Sequence, residues 1–213
     1  MRARPVSFAT LVAELADRLA GSVAGSDPAG RLRVALDGAP ATRPDALAEA
    51  LIDPLRVRGR PALHVRTADF LRPASLRFEF GRTDPDNYYT GWFDEAGLRR
   101  EVLDPLGPGG TGKILPALWN PRTDRSARAA YVDLPAGGVL LVSGPLLLGG
   151  GLPFEYAVHL AMSPAALARR TDPDEAWTLP AFARYTDEVA PGSFADLVVR
   201  VDDPRHPAVV EPG

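Results

Sequence analysis

Residues 138–142 read GVLLV, a glycine followed by four apolar side chains with no polar alternation. A strand with one solvated face alternates apolar and polar residues, so an unbroken run must be covered on both sides, as in a parallel sheet layered between helices. Four other segments carry a strand signal at intervals that leave room for helices: RLRVAL (31–36), ALHVR (62–66), YAVHLAM (156–162) and DLVVRV (196–201). Between the first two lies PDALAEALIDPLRVRG, 44–59, which reads as a helix with Pro44 at its first position, acidic Asp45 beside it and Gly59 past its end. SPAALARR and the segment from Trp177 to Glu188 supply two later helices. Strand, loop, helix and strand in this order are most simply a parallel pair joined by a crossover. The expected fold is an α/β domain, three-layered and doubly wound, with a mostly parallel five-stranded sheet over residues 31–213.

Ahead of it, Phe8, Leu11, Val12, Leu15 and Leu19 fall on one helical face, and a Gly/Ser/Asp/Pro break follows, so residues 1–30 read as an N-terminal helix and linker. The stretch from Ala68 to Trp92 reads as irregular and leads into a helix, DEAGLRREVL. ILPAL and AAYVDL flank an Arg- and Asp-rich loop, which predicts a small hairpin insertion.

Composition removes several chemistries. The chain has no cysteine, which excludes disulfides, thiolate nucleophiles and Cys-based zinc or iron–sulfur sites. His64, His159 and His206 are scattered, and the first two lie in strand segments, where they read as satisfied strand residues. Catalysis would rest on carboxylates, arginines, hydroxyls and backbone amides. A formal net charge of -3 gives no overall reason to bind nucleic acid or an anionic membrane. No apolar run approaches the ~20 residues that span a bilayer, and the N-terminus lacks a secretory leader pattern, so a cytoplasmic location is expected.

Two loops compete for the role of phosphate binder. GPGGTGKI, 107–114, holds the chain's single lysine, Lys113, and spells Gly, four residues, Gly, Lys. A phosphate loop must follow a strand and open a helix so that its amides converge on the anion. This segment follows a helix and runs into residues broken by Pro116 and Pro121, with Ile114 where a hydroxyl should stand, so it reads as a hairpin lead-in. The right context belongs to Gly38-Ala-Pro-Ala-Thr-Arg-Pro-Asp45. Its chemistry is poor: Arg43 replaces the second glycine, Pro44 the lysine and Asp45 the hydroxyl residue.

Beyond that loop, the order of landmarks resembles the uridine kinase family of P-loop nucleoside kinases, over roughly residues 31–201. LHVRTADF carries a strand-end aspartate, Asp69, which the resemblance makes the general base toward a nucleoside 5′-hydroxyl. TDPDNY matches the family's Asp-His-Pro-Asp pattern at Pro85, Asp86 and aromatic Tyr88; PALWNPRTDR matches the nucleoside-binding hairpin at Pro116 and Arg125. GVLLVSGPLLL resembles the strand ending in Glu-Gly, with Ser143 in place of the acid; LARR is similar to the lid arginines, at Arg169 and Arg170; YTDEVAP keeps the spacing from Tyr185 to Pro191.

The resemblance implies a P-loop NTPase-like fold and transfer of the γ-phosphoryl of ATP, with Mg²⁺, to a pyrimidine nucleoside. Asp69 would be catalytic; Asp86, Tyr88, Arg125 and Tyr185 would bind the nucleoside, and Gly38, Thr42, Arg43, Arg169 and Arg170 the nucleotide. Lys113, Arg43 or the arginine pair would supply the missing positive charge, and Asp37 or Asp45 would hold the metal. The alternative expectation is a catalytically silent relative that binds a nucleoside or nucleotide as a sensor or regulatory module. Its partner is then a small molecule, with neither nucleic acid nor membrane involved and homo-oligomerisation left open.

Overall fold

A computed structural model describes residues 2–22, 30–203 and 205–211. The elements that position the site are β1 (Arg2–Pro5), α1 (Phe8–Gly21), β2 (Leu32–Asp37), α2 (Pro44–Val57), β3 (Ala62–Arg66), α3 (Pro85–Gly91), β4 (Val139–Gly144), β5 (Tyr156–Ala161), α4 (Pro164–Arg170), α5 (Leu179–Val189), β6 (Leu197–Arg200) and β7 (Ala208–Glu211). They build a seven-stranded sheet in the order β1-β7-β6-β5-β2-β4-β3. The five strands read from the sequence form its parallel body, from β6 to β3. The other two extend one edge: β7 runs antiparallel to β6, and β1 antiparallel to β7.

Every residue of β2 and β4 is buried. Along β4 the side chains alternate between layers. Val139 and Leu141 join Leu47, Leu51 and Leu55 of α2 and Leu11, Leu15 and Leu19 of α1. Leu140 and Val142 join Phe70, Val102, Leu106, Ile114 and Tyr185 on the opposite face. The unbroken apolar run therefore serves two cores, which is the physical content of the three-layer architecture. Of the two ionisable residues within β2, Arg33 stays buried because Glu155 takes its Nε at 3.0 Å and the Leu103 carbonyl takes Nη1 at 3.0 Å.

Several segments differ from the sequence reading. Residues 2–5 are a strand, where only helix and linker were expected, and α1 packs against α2 as part of the main core. The stretch expected to be irregular contains a 3₁₀ turn at Thr67–Phe70, one helical turn at Ala74–Arg77, and α3, capped by Asp84, whose carboxylate accepts the Asn87 N–H. The DEAGLRREVL helix is an α turn, Glu95–Leu98, that widens into a π turn over Arg99–Leu103. The hairpin insertion is present as two short antiparallel ladders, Lys113–Ile114 with Val132–Asp133 and Trp119–Asn120 with Arg125–Ser126.

Candidate functional site

In a parallel sheet, ligands bind beyond the carboxyl ends of strands where connections diverge. Here that point is the end of β2, whose Asp37 stands opposite Gly144 of β4 on one side and His159 of β5 on the other. The chain leaves β2 through Gly38 and a 3₁₀ turn, Pro40–Thr42, and enters α2 at Pro44. Arg43 joins the two with left-handed dihedrals, φ 61 and ψ 52.

This turn is closed on itself. The Thr42 amide donates to the Ala39 carbonyl at 2.8 Å and the Arg43 amide to the Pro40 carbonyl at 2.9 Å. The Thr42 hydroxyl adds a bond to the Ala39 carbonyl at 2.7 Å, and a Cβ on residue 38 would overlap that hydroxyl. Pro40 and Pro44 have no amide to offer. A loop that holds phosphate must aim its N–H groups at the anion; here the Thr42 and Arg43 amides are spent inside the turn and the Gly38 amide on the Gly144 carbonyl.

Beside it, three side chains from three elements form a chain. Ser143, fully buried at the end of β4, donates its hydroxyl proton to Asp45 Oδ1 in the first turn of α2. Its oxygen takes a bond from His64 Nε2 of β3 at 2.7 Å, in the tautomer protonated there. Burial pushes the His64 imidazole below its ordinary pKa, and the neighbouring carboxylates Asp45 and Glu49 oppose this only in part. In P-loop kinases the loop contributes a hydroxyl and a nearby strand a carboxylate. In this chain a carboxylate opens α2 and a hydroxyl stands at the end of β4, and they touch.

Asp37 does a different job. It is fully buried, its Oδ1 accepts the Leu147 amide at 2.9 Å, and its Oδ2 lies 2.7 Å from His159 Nδ1. With both oxygens held inside the protein, it is not the open metal ligand that the sequence suggested.

A cleft of about 520 Å³ opens alongside these groups. Arg43, Asp45 and Glu49 line one side, Thr67, Gly144 and Pro145 the base, and Tyr88, Trp92 and Phe93 the facing wall, with Glu175 at the edge. Three carboxylates thus face one guanidinium. Burial raises the Glu175 carboxyl above its usual range, and Asp172 and Asp174 add to the effect. The wall belongs to an aromatic cluster: ring centroids lie 5.4 Å apart for Tyr88–Trp92, 5.3 Å for Trp92–Trp177 and 5.8 Å for Tyr88–Phe182. Such edge and tilted pairings fix the rings relative to one another.

The structure distributes the other residues singled out from the sequence. Asp69 follows β3 but is gripped by Arg66 in a two-pronged pair, 2.9 and 3.0 Å, while its neighbours Thr67 and Ala68 line the cleft. Asp86 is exposed on α3 and bonded to Arg184 at 3.1 Å. Arg125 is exposed on the short ribbon. Tyr185 is buried, accepting the Leu148 amide at 2.9 Å, and burial, with Asp37 nearby, pushes its hydroxyl pKa up. Arg169 and Arg170 end α4, where Arg170 bonds the Asp202 carbonyl. Gly38, Thr42 and Arg43 form the closed turn, and Tyr88 the aromatic wall.

Lys113 cannot supply charge here. Its strand is paired with Asp133, and Gly112 stands against the Arg31 guanidinium, next to the amino-terminal end of β2. That is the opposite end of the strands from the cleft. The segment 107–114 is preceded by a 3₁₀ turn and followed by a strand, so it lacks the context of a phosphate loop in the fold as well as in the sequence.

No family model matches the sequence, and no curated protein matches it significantly. Solved structures do resemble the fold. A Bacillus stearothermophilus protein described as a possible uridine kinase superposes with a TM-score of 0.72 at 18% identity, over 89% of this chain and 97% of that one. A Silicibacter sp. TM1040 protein assigned as a fructose transport system kinase superposes with a TM-score of 0.60 at 23% identity, over 86% of this chain and 91% of that one. Among the described residues, no helix is long and apolar enough to cross a membrane. At these identities the likeness speaks for architecture alone, and on that evidence the chain has the three-layer α/β fold of P-loop kinases.

Proposed function

We propose that this protein is a non-phosphorylating binder built on a kinase fold: it takes a small ligand without phosphate, a pyrimidine nucleoside in the first instance, into the cleft beside Asp45, as a sensor or regulatory module. The observation that carries this reading is the closed turn at 38–43, whose Thr42 and Arg43 amides and Thr42 hydroxyl are bonded within it. ATP with Mg²⁺, which the kinase likeness implies, needs inward amides, a lysine and a metal-binding hydroxyl. The residues present do not fit that group: Pro44 and Asp45 occupy the lysine and hydroxyl positions, and the cleft carries three carboxylates against Arg43. An aromatic wall, by contrast, offers an uncharged ring a stacking surface at no electrostatic cost.

Calorimetric titration with uridine, cytidine and Mg-ATP, beside a transfer assay with γ-labelled ATP, tests the reading. The expected result is saturable nucleoside binding, no ATP binding above background and no labelled product. Labelled product that disappears in Asp69→Asn would overturn it in favour of a phosphotransferase. That second reading draws on the hydroxyl–carboxylate pair of Ser143 and Asp45, which keeps both functional groups in contact, and on the Arg43 guanidinium at the cleft.

A further inference from the structure

The turn that walls the first cleft has a second cavity on its other side, about 380 Å³, within the ~300–1,000 Å³ typical of small-molecule sites. Its lining is largely apolar, with Leu11, Leu47, Leu160 and Val201 among the side chains that form it, and Phe8 is 41% exposed where α1 begins. The polar residues along it are Thr42, whose hydroxyl is already committed to the Ala39 carbonyl, and two arginines, Arg43 and Arg205, the first of which lines the other cleft as well. Among the described residues no carboxylate lines it, although Asp203 stands next to Arg205, whose amide it accepts at 3.0 Å. The charge balance is thus the reverse of the first cleft, where carboxylates outnumber Arg43.

We infer that this cavity binds an amphipathic carboxylate, a medium-chain acyl acid, with its chain against the leucines and its head group on the arginines. Burying the chain removes apolar area from water, at roughly 25 cal/mol per Å². A guanidinium meets a carboxylate through two parallel hydrogen bonds, which sets the orientation. Arg205 currently contacts Asp203 at 3.5 Å in an exposed pair of the kind that contributes little, so the ligand's carboxylate can replace that partner. Arg43 and Ala46 line both cavities, so an occupant here rests on the turn that bounds the first cleft. The inference is independent of the nucleoside reading, since it draws on a different cavity.

The test is calorimetric titration of the full-length protein with decanoate, kept below its micellar concentration, and with decanol as an uncharged probe of the same chain length. The expected result is saturable 1:1 binding of decanoate, weakened tenfold or more both for decanol and for decanoate with Arg205→Glu. Val201→Phe, which fills the cavity, is expected to abolish binding with the circular dichroism melt retained; Leu11→Phe serves in its place if that variant does not fold. Three results would each overturn the assignment: no decanoate binding to the folded wild type, decanol binding as tightly as decanoate, or undiminished binding to a folded cavity-filling variant.

Discussion

At the scale of single residues, the Ser143 hydroxyl is the joint that ties α2, β3 and β4 together, because it donates to Asp45 and accepts from His64 while fully buried. Ser143→Ala leaves both partners without their bond and is expected to cost about 1–3 kcal/mol in urea unfolding. Asp45→Ala in the same background should cost less than it does alone, the mark of a direct contact in a double-mutant cycle. His64 makes the pair sensitive to pH. Its folded pKa lies below the ordinary ~6.5, so as pH falls the unfolded chain takes up the proton first, and stability declines from about pH 6.5 downward. Asp45, Glu49 and Asp69 pull the opposite way and Arg66 the same way, yet burial dominates. The urea midpoint should therefore fall less between pH 7.5 and 5.5 in His64→Gln than in the wild type; an unchanged difference would remove His64 from this role. The sequence displayed both halves of the pair, an aspartate at the hydroxyl position and a serine at the acid position, as two separate departures from a pattern. Their contact depends on the register of β4 beside β2, which no local spacing encodes.

At the scale of elements, the loop that leaves β4 is held as tightly as the closed turn. Gly144 has φ 146, a conformation that suits glycine, and a Cβ there would run into the Thr67 side chain at the base of the cleft. Gly144→Ala is expected to destabilise by about 2 kcal/mol and to displace Thr67, so ligand affinity in the cleft should drop with thermal stability rather than independently of it. The five parallel strands were legible because burial on two faces demands apolar runs, and α2 because its start and stop residues are strong. β1 and β7 were not: four residues each, lying outside the parallel body, they need no continuous apolar signal, and Pro5 at the end of β1 reads as a strand breaker except where an edge tolerates it. The segment 68–92 was missed for a related reason, since its short turns pack into the aromatic cluster across it rather than following any period of their own.

At the scale of the whole molecule, the fold class was readable and the site only half so. Asp69 stood at the expected strand end, but the bidentate grip of Arg66 could not be inferred from its position. Two cavities share Arg43 and Ala46 in their linings, with Asp45, Glu49 and Glu175 on the first and Arg205 on the second, and this too emerges only when distant segments assemble. Stability should be graded across the sheet. In native-state hydrogen exchange, amides of β2 and β4, enclosed between two cores, are expected to exchange only through global unfolding, and those of β1 and β7 through a smaller opening at lower free energy.

The pairing of β1 with β7 bears on how the chain is made. A ribosome delivers residues in order, and domains fold as they emerge. Every strand of the parallel body precedes β7 in the chain, whereas β1, which precedes them all, has β7 as its hydrogen-bonding neighbour. Until β7 has been made the β1 amides lack their partner strand, so this pairing is expected to form after the parallel body, as a late step of folding.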